Sequence, residues 1–381
     1  MSYRSLFRDG MNAVDKLRAI SWPFIVLITL AACIGFVSLY SAASGSMQPW
    51  AASQMVKFAM GMVGLVITAV IDIRIWMRLA YPIFLASLAL LVVVDVHGHT
   101  SMGAQRWIDL GFLKLQPSEL MKIAIVMTLA RFFQGATPED VRNPLFLIAP
   151  LGLLAAPVAL VLLQPDLGTA MMLVIVAGAM FFIAGVSYWM FGIVAAGGLA
   201  MLPVAWHFLH DYQRQRVMTF MDPESDPLGA GYHITQSKIA LGSGGVTGKG
   251  FLHGTQSHLN FLPEKQTDFI FTLFTEEWGL VGGIALMTLF ALIIVYGYFM
   301  AFQCQNQFGR LLSTGIIINF SLYIFINIGM VMGLLPVVGV PLPMISYGGT
   351  AMLSVLFGFG LLLSAHVHRD VKFTRRGFDM A

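Results

Sequence analysis

Ten stretches of this chain are apolar over a length that can cross the hydrocarbon core of a bilayer as a helix, about 17–25 residues each. They lie near 21–40, 54–71, 77–95, 117–134, 144–163, 167–185, 188–208, 277–301, 311–333 and 346–366. In hydrocarbon every backbone N–H and C=O must be paired within the protein, and runs of this length do so as α-helices. The sequence therefore predicts an all-α, polytopic membrane protein. Composition agrees: 57% of the residues are hydrophobic and 11% charged, with a mean hydropathy of +0.79. A soluble domain carries about 25% charge. No nucleic-acid partner is expected.

Lysine and arginine in the short loops set the orientation. They gather in the N-terminal segment (Arg4, Arg8, Lys16, Arg18), after the second run (Arg74, Arg78), after the fourth (Arg131, Arg142), after the eighth (Arg310) and at the C-terminal end (Arg369, Lys372, Arg375, Arg376). The opposite loops near 41–53 and 334–345 carry none. Both termini are thus expected in the cytoplasm, which ten crossings satisfy. The first run has no small-residue cleavage site after it and reads as an anchor that stays in the membrane. Cys33 and Cys304 lie far apart beside apolar segments, so neither a disulfide nor a metal site is expected from them. Residues 1–381 read as one membrane domain. Within it, residues 209–276 form a long polar loop on the outer side, and a long loop among minimal turns is usually functional.

That loop holds the glycine run "GSGGVTGKG" at 242–250, which permits close backbone approach and would present Lys249 to a phosphate; the alternative is a mobile glycine loop. It is no P-loop, because the Gly-Lys pair lacks a following Ser or Thr. Asp268 opens the next apolar stretch, with Thr267 as the expected N-cap. A helix starting there places Asp268, Thr272, Thr275 and Glu276 on one polar face at the outer membrane edge. Such an acid is either functional or a complement to the helix dipole. Glu119 and Lys122 stand three residues apart at the start of the fourth run and can pair. Arg106 and Trp107 precede them: the tryptophan as an interfacial anchor, the arginine as a ligand for phosphate or a headgroup. Lys57 sits in the second run, where it snorkels or pairs with an acid. Asp166 lies at a hairpin tip. Asp95, His97 and His99 have poor spacing for a metal.

Three blocks together resemble the SEDS family (shape, elongation, division and sporulation) of cell-wall glycosyltransferases. "NIGMVMGLLPVVGVPLPMISYGGTA" is similar to the family's C-terminal signature, with Asn327, Gly333, Pro336, Gly339, Ser346, Gly348 and Gly349 in place. "LPEKQTDFIF" is similar to its catalytic block and "GAQRWIDLGFLKLQPSELMK" to the block before the fourth span. "QPDLGTA" at 164–170 and "HGTQSHLNFLPEKQTDFIF" look RodA-like, the elongation branch, rather than FtsW-like, the division branch. Gln266 departs from the histidine often found before the Thr-Asp pair.

The resemblance implies a polymerase that joins lipid II into β-1,4 glycan strands outside the bacterial cytoplasmic (inner) membrane, with Asp268 as the essential aspartate. It implies undecaprenyl pyrophosphate as leaving group, a class B penicillin-binding protein and other elongation-machinery proteins as partners, and a divalent cation (Mg2+ or Mn2+) as the one cofactor. Candidate substrate-binding residues are Arg106, Trp107, Glu119, Lys122, Arg214, Arg216, Lys238, Lys249, Lys265, Glu276 and Ser346. Two competing readings are a lipid flippase, suited to a polytopic chain with breaks at Pro336, Pro341 and Pro343, and a non-catalytic scaffold.

Overall fold

The computed structural model describes residues 11–97, 99–101, 104–109, 111, 114–208, 214, 218–222, 230–258 and 264–373. Each apolar run coincides with a helix. After a short α1 (Ala13–Ala19) come α2 (Trp22–Ala42), α3 (Ala51–Val70), α4 (Ile73–His97) and α5 (Pro117–Phe133). A short α6 (Pro138–Arg142) leads to α7 (Pro144–Leu163), α8 (Leu167–Ala184) and α9 (Tyr188–Phe208). The large loop contributes α10 (Ala230–Ser243) and α11 (Thr255–His258), followed by α12 (Ile270–Gln303), α13 (Gln307–Val331) and α14 (Gly349–Val367). Among the described residues, eight helices are long and apolar enough to cross a membrane: α2, α3, α4, α7, α8, α12, α13 and α14. α5 has 17 residues and carries Glu119 and Lys122, and the apolar part of α9 is Tyr188–Met201.

Polar side chains stop and start these helices where the sequence changes character. Asn143 caps α7 through the Leu145 N–H at 3.0 Å. Asp166 caps α8 through the Thr169 N–H at 3.2 Å. Asn306 caps α13 through the Gly309 N–H at 2.6 Å. Each cap satisfies an amide the helix leaves unpaired. α13 and α14 lie inside, with 72% and 83% of their apolar windows buried, as does α5, buried over nearly all its length, whereas α4 and α7 at 28% and 22% turn most of their surface outward. α3 packs closely on α14: a Cβ at Gly360 would lie 2.7 Å from the Thr68 Cβ and 3.0 Å from the Leu65 carbonyl oxygen. Small residues at such crossings let backbones approach, which is how helices gain contact in a membrane.

Between α4 and α5 the chain forms a small antiparallel sheet that the all-helical expectation did not include. β1 (His99–Ser101) pairs with β2 (Ala104–Asp109), and β2 with β3 (Lys114–Leu115). The His97 and His99 side chains fall outside the described residues.

The eighth run begins earlier than its apolar pattern, at Ile270, and α12 is broken at Gly279 (φ 65°, ψ −164°). A break strands backbone groups that lipid cannot satisfy, at several kcal/mol each. The glycine run supplies the missing partners. The carbonyls of Glu276 and Glu277 accept from Lys249 N and Gly250 N, both at 3.0 Å, while Leu280 N and Val281 N donate to Gly245 O at 2.9 Å and Val246 O at 3.1 Å. The run is therefore a backbone brace for the broken helix, which corrects its reading as an anion cradle or a mobile loop. Both strands of the brace need glycine: Gly248 has φ +83°, and a Cβ at Gly279 would fall 2.5 Å from the Val246 carbonyl oxygen and nearer still to the Gly248 nitrogen. Gly279→Ala is expected to destabilise the protein by at least about 3 kcal/mol, read as a lowered thermal midpoint of the purified protein in detergent. Gly152→Ala, inside α7 where a Cβ meets nothing within 4 Å, should not lower that midpoint.

Candidate active site

The chain from Glu264 to Phe269 turns sharply before α12. Glu264 takes φ 54°, and its carbonyl accepts from Thr267 N at 3.0 Å and Phe269 N at 3.4 Å. Phe269, not Thr267, is the N-cap residue. The expected Thr267 cap does not form because the Thr267 hydroxyl bonds back to the Glu264 carbonyl at 3.2 Å and to its Oε2 at 3.1 Å.

Three consecutive carbonyls of this turn are held from outside. Tyr347 N donates to Gln266 O at 2.8 Å, Ser346 Oγ to Thr267 O at 2.6 Å, and Asn327 Nδ2 to Asp268 O at 3.0 Å. Asn327 is fully buried and donates its other amide proton to Val340 O at 2.8 Å. Ser346 Oγ accepts from Leu342 N at 2.8 Å, and Gln54 Nε2 donates to Ser346 O at 3.0 Å. The end of α13 and the 340–347 segment thus clasp the backbone that carries Asp268. The Asp268 side chain is half-buried. Gly339 (φ +74°) lies beside it, and a Cβ there would stand 3.6 Å from Asp268 Oδ2. Glycine lets the backbone pass close to that side of the carboxylate.

The rest of the expected polar face is packed away rather than turned to the membrane edge. Thr272, Thr275 and Glu276 are all buried against α10 and the brace. Thr272 Oγ1 meets Ser237 Oγ at 2.8 Å, and the Thr275 hydroxyl bonds Phe271 O at 2.8 Å. The Glu276 carboxylate accepts from Lys249 Nζ at 2.7 Å, Gln256 N at 2.9 Å and Thr255 Oγ1 at 3.2 Å. Lys249 and Glu276 are therefore partners of each other. Lys238 is exposed, and its side chain crosses Gly333, where a Cβ would come 2.7 Å from the lysine Nζ. Lys265 lies next to the turn, and burial pushes its ammonium pKa down from the usual value. Arg214 donates to Trp206 O at 3.0 Å and His207 O at 2.8 Å, a cation on the C-terminal carbonyls of α9. Arg216 lies outside the described residues.

Glu119 and Lys122 pair at 2.7 Å, both buried, as the sequence spacing suggested. The sequence did not show their third member. The Tyr323 hydroxyl on α13 donates to Glu119 Oε2, and Lys122 Nζ lies 4.2 Å from the Tyr323 ring centroid. Tyr323, Pro341, Leu342, Ser346 and Gly348 also line a cavity with room for about one water molecule, so this triad abuts the segment that clasps Asp268. Arg106 sits on β2 and is committed to the α7–α8 hairpin: it donates to Gln164 O at 3.2 Å and to Pro165 O, and stands 3.8 Å from the Asp166 carboxylate. Trp107 is half-buried beside it. Asn327, Gly339 and Tyr347 belonged to the signature without an assigned role, and Tyr323 was not singled out. Among the described residues, no three His, Cys, Asp or Glu side chains converge to hold a metal. The described residues thus offer no three-ligand cluster for the Mg2+ or Mn2+ that the resemblance implied.

The fold is that of a polytopic membrane protein, with a carboxylate on a clasped turn at one end of its helical bundle. The chain belongs to the FtsW, RodA and SpoVE family of cell cycle proteins, whose family model matches residues 21–371. It is 46% identical over 351 residues to the peptidoglycan glycosyltransferase MrdB of Escherichia coli strain K12, covering 92% of this chain and 94% of that protein. Identity to the probable peptidoglycan glycosyltransferase FtsW of Geobacter metallireducens is 36% over 371 residues, covering 94% and 96%. The crystal structure of Thermus thermophilus rod shape determining protein RodA matches with a TM-score of 0.70 at 29% identity, over 93% of this chain and 98% of that one. A chain of a peptidoglycan synthase complex, described as coordinating polymerization and crosslinking, matches with a TM-score of 0.79 at 32% identity, over 92% and 98%. Within the family the chain is RodA-like.

Breaking the buried triad should separate its two bonds. Lys122→Met leaves the Glu119 carboxylate buried without its cation and is expected to cost about 3–5 kcal/mol. Tyr323→Phe removes one charge-assisted hydrogen bond, about 1.5–3 kcal/mol. Thermal unfolding of the purified variants in one detergent checks the order, and Glu119→Gln combined with Lys122→Met should recover part of the loss.

Proposed function

We propose that this protein is a peptidoglycan glycosyltransferase of the cell-elongation machinery, polymerising lipid II with Asp268 as general base. The observation that carries the reading is the clasp on the carbonyls of Gln266, Thr267 and Asp268, which fixes the backbone that bears one half-buried carboxylate. A positioned base gains rate by needing no reorganisation during proton transfer. The identity to proteins named as peptidoglycan glycosyltransferases supports the substrate class.

In the step, Asp268 takes the proton from the 4-hydroxyl of the acceptor's terminal sugar as that oxygen attacks the donor's anomeric carbon. The bond from that carbon to the donor pyrophosphate breaks, and undecaprenyl pyrophosphate leaves with the electron pair. Attack opposite an α-linked leaving group gives a β-1,4 bond. One carboxylate suffices because pyrophosphate departs without protonation, unlike the leaving groups of glycoside hydrolysis. The positive-inside pattern supports ten crossings with both termini cytoplasmic and Asp268 on the outer face of the inner membrane. A class B penicillin-binding protein that crosslinks the product is the proposed partner, in keeping with the likeness to a chain of a peptidoglycan synthase complex. The flippase reading draws less support: the backbone groups of Glu276, Glu277, Leu280 and Val281 freed by the break in α12 are bonded to the brace instead of lining a path.

Asp268→Asn should lower glycan synthesis from lipid II by at least about 10²–10⁴-fold while the protein stays monodisperse with an unchanged thermal midpoint. Strand synthesis at the parent rate by that variant would overturn the assignment. Lipid translocation without polymer in proteoliposomes would favour the flippase.

A further inference from the structure

We propose that Lys57, Lys114 and the Tyr347 hydroxyl form a subsite for phosphoryl oxygens beside Asp268, holding the pyrophosphate head of a membrane-anchored substrate. The inference rests on the glycosyltransferase reading for the identity of that substrate.

Lys57 lies about two turns into α3. Its Nζ donates to the Tyr347 hydroxyl at 3.2 Å and stands 4.5 Å from the ring centroid. Its stem runs over Gly349, where a Cβ would meet its Cδ, Cε and Nζ at 3.0, 3.2 and 3.3 Å. Glycine at 349 thus gives the lysine its path to the tyrosine. No carboxylate among the described residues forms an ion pair with Lys57, while Lys114 stands opposite Asp109 in the β2–β3 register without an ion pair within 4 Å. A cation in a membrane helix without a counter-charge is costly, and such residues mark ligand sites. Lys114 opens β3, which packs against α14, and it is exposed. Burial pushes the Tyr347 phenol up, but hydrogen bonds with Ser53 and Lys57 and the charges of Lys57 and Lys114 outweigh it, leaving the pKa below the usual value.

Two further observations belong to the same spot. Gln54, fully buried one turn before Lys57, donates to Ser346 O, while its own Oε1 has no partner. The first turn of α14 starts at Gly349 with no side chain capping its amides, which adds partial positive charge. The subsite is tied to the catalytic turn by a single bond, Tyr347 N to Gln266 O at 2.8 Å, two residues before Asp268. A pyrophosphate held there would gain negative charge as the glycosidic bond breaks, where fixed cations stabilise it most. Lysine serves this role as a point charge.

Phosphoryl oxygens at this depth come from a prenyl pyrophosphate or from an anionic phospholipid headgroup, and binding measurements on the full-length protein in nanodiscs separate the two. Undecaprenyl pyrophosphate should bind about tenfold more weakly to Lys57→Gln and to Lys114→Gln than to the parent. Lys57→Arg should restore most of the affinity, and inorganic pyrophosphate should compete. Unchanged affinity in both glutamine variants would overturn the subsite. So would equal displacement of the probe by phosphatidylglycerol, which marks a general headgroup site. Lys114 is on the surface, so its variant remains informative if Lys57→Gln fails to fold. Asp268→Asn should keep the binding and lose polymerisation; if it kept both, the general-base reading would fall while the subsite stood.

Discussion

A backbone amide or carbonyl in hydrocarbon has no water to turn to, and this structure is organised around the few places where it departs from helix. Two of those places sit at the same end of the bundle. At Gly279 the helix breaks, and the glycine run from 244 to 250 takes up the groups it frees. At Glu264–Phe269 the chain turns, and Asn327, Ser346 and Tyr347 take up three carbonyls in a row. Most of the partners are themselves irregular segments, the glycine run and residues 346–347, while Asn327 reaches the turn from the regular helix α13. The rigid helices α13 and α14 anchor these pairings.

This arrangement explains how a carboxylate can be presented at one end of a helical bundle on a backbone that is bonded in place. The side chain of Asp268 inherits the rigidity of a backbone bonded from both sides of the 340–347 segment. Behind that segment the Glu119, Lys122 and Tyr323 triad fills the bundle with satisfied charge. A buried ion pair contributes little net stability compared with apolar packing, and what it adds here is a defined position for α13 relative to α5.

Much of the architecture was legible because long apolar runs need no partner to declare themselves. Asp268 was legible too, as an acid at the mouth of such a run. What surrounds it was not. Thr267 matched the pattern of a cap, but the turn at Glu264 diverted its hydroxyl. Glu276 shared a helical face with Asp268, yet which face is packed depends on α10 and on the brace, which lie apart in sequence. The glycine run signalled close approach correctly, but nothing local said that its partner was backbone rather than phosphate. Arg106 found its acceptors near residue 165, a distance no spacing argument reaches. The sheet at 99–115 is too short and polar for its alternation to stand out.

The three bonds of the clasp join Asp268 to Asn327, Thr267 to Ser346 and Gln266 to Tyr347, each time reaching far forward in the chain. During synthesis the aspartate therefore emerges long before the groups that immobilise it. A nascent chain that has inserted its first eight helical runs holds the acid but not the scaffold. The turn is immobilised only once α13 and the 340–347 segment have folded back onto it, so the site is among the last parts of the bundle to be completed.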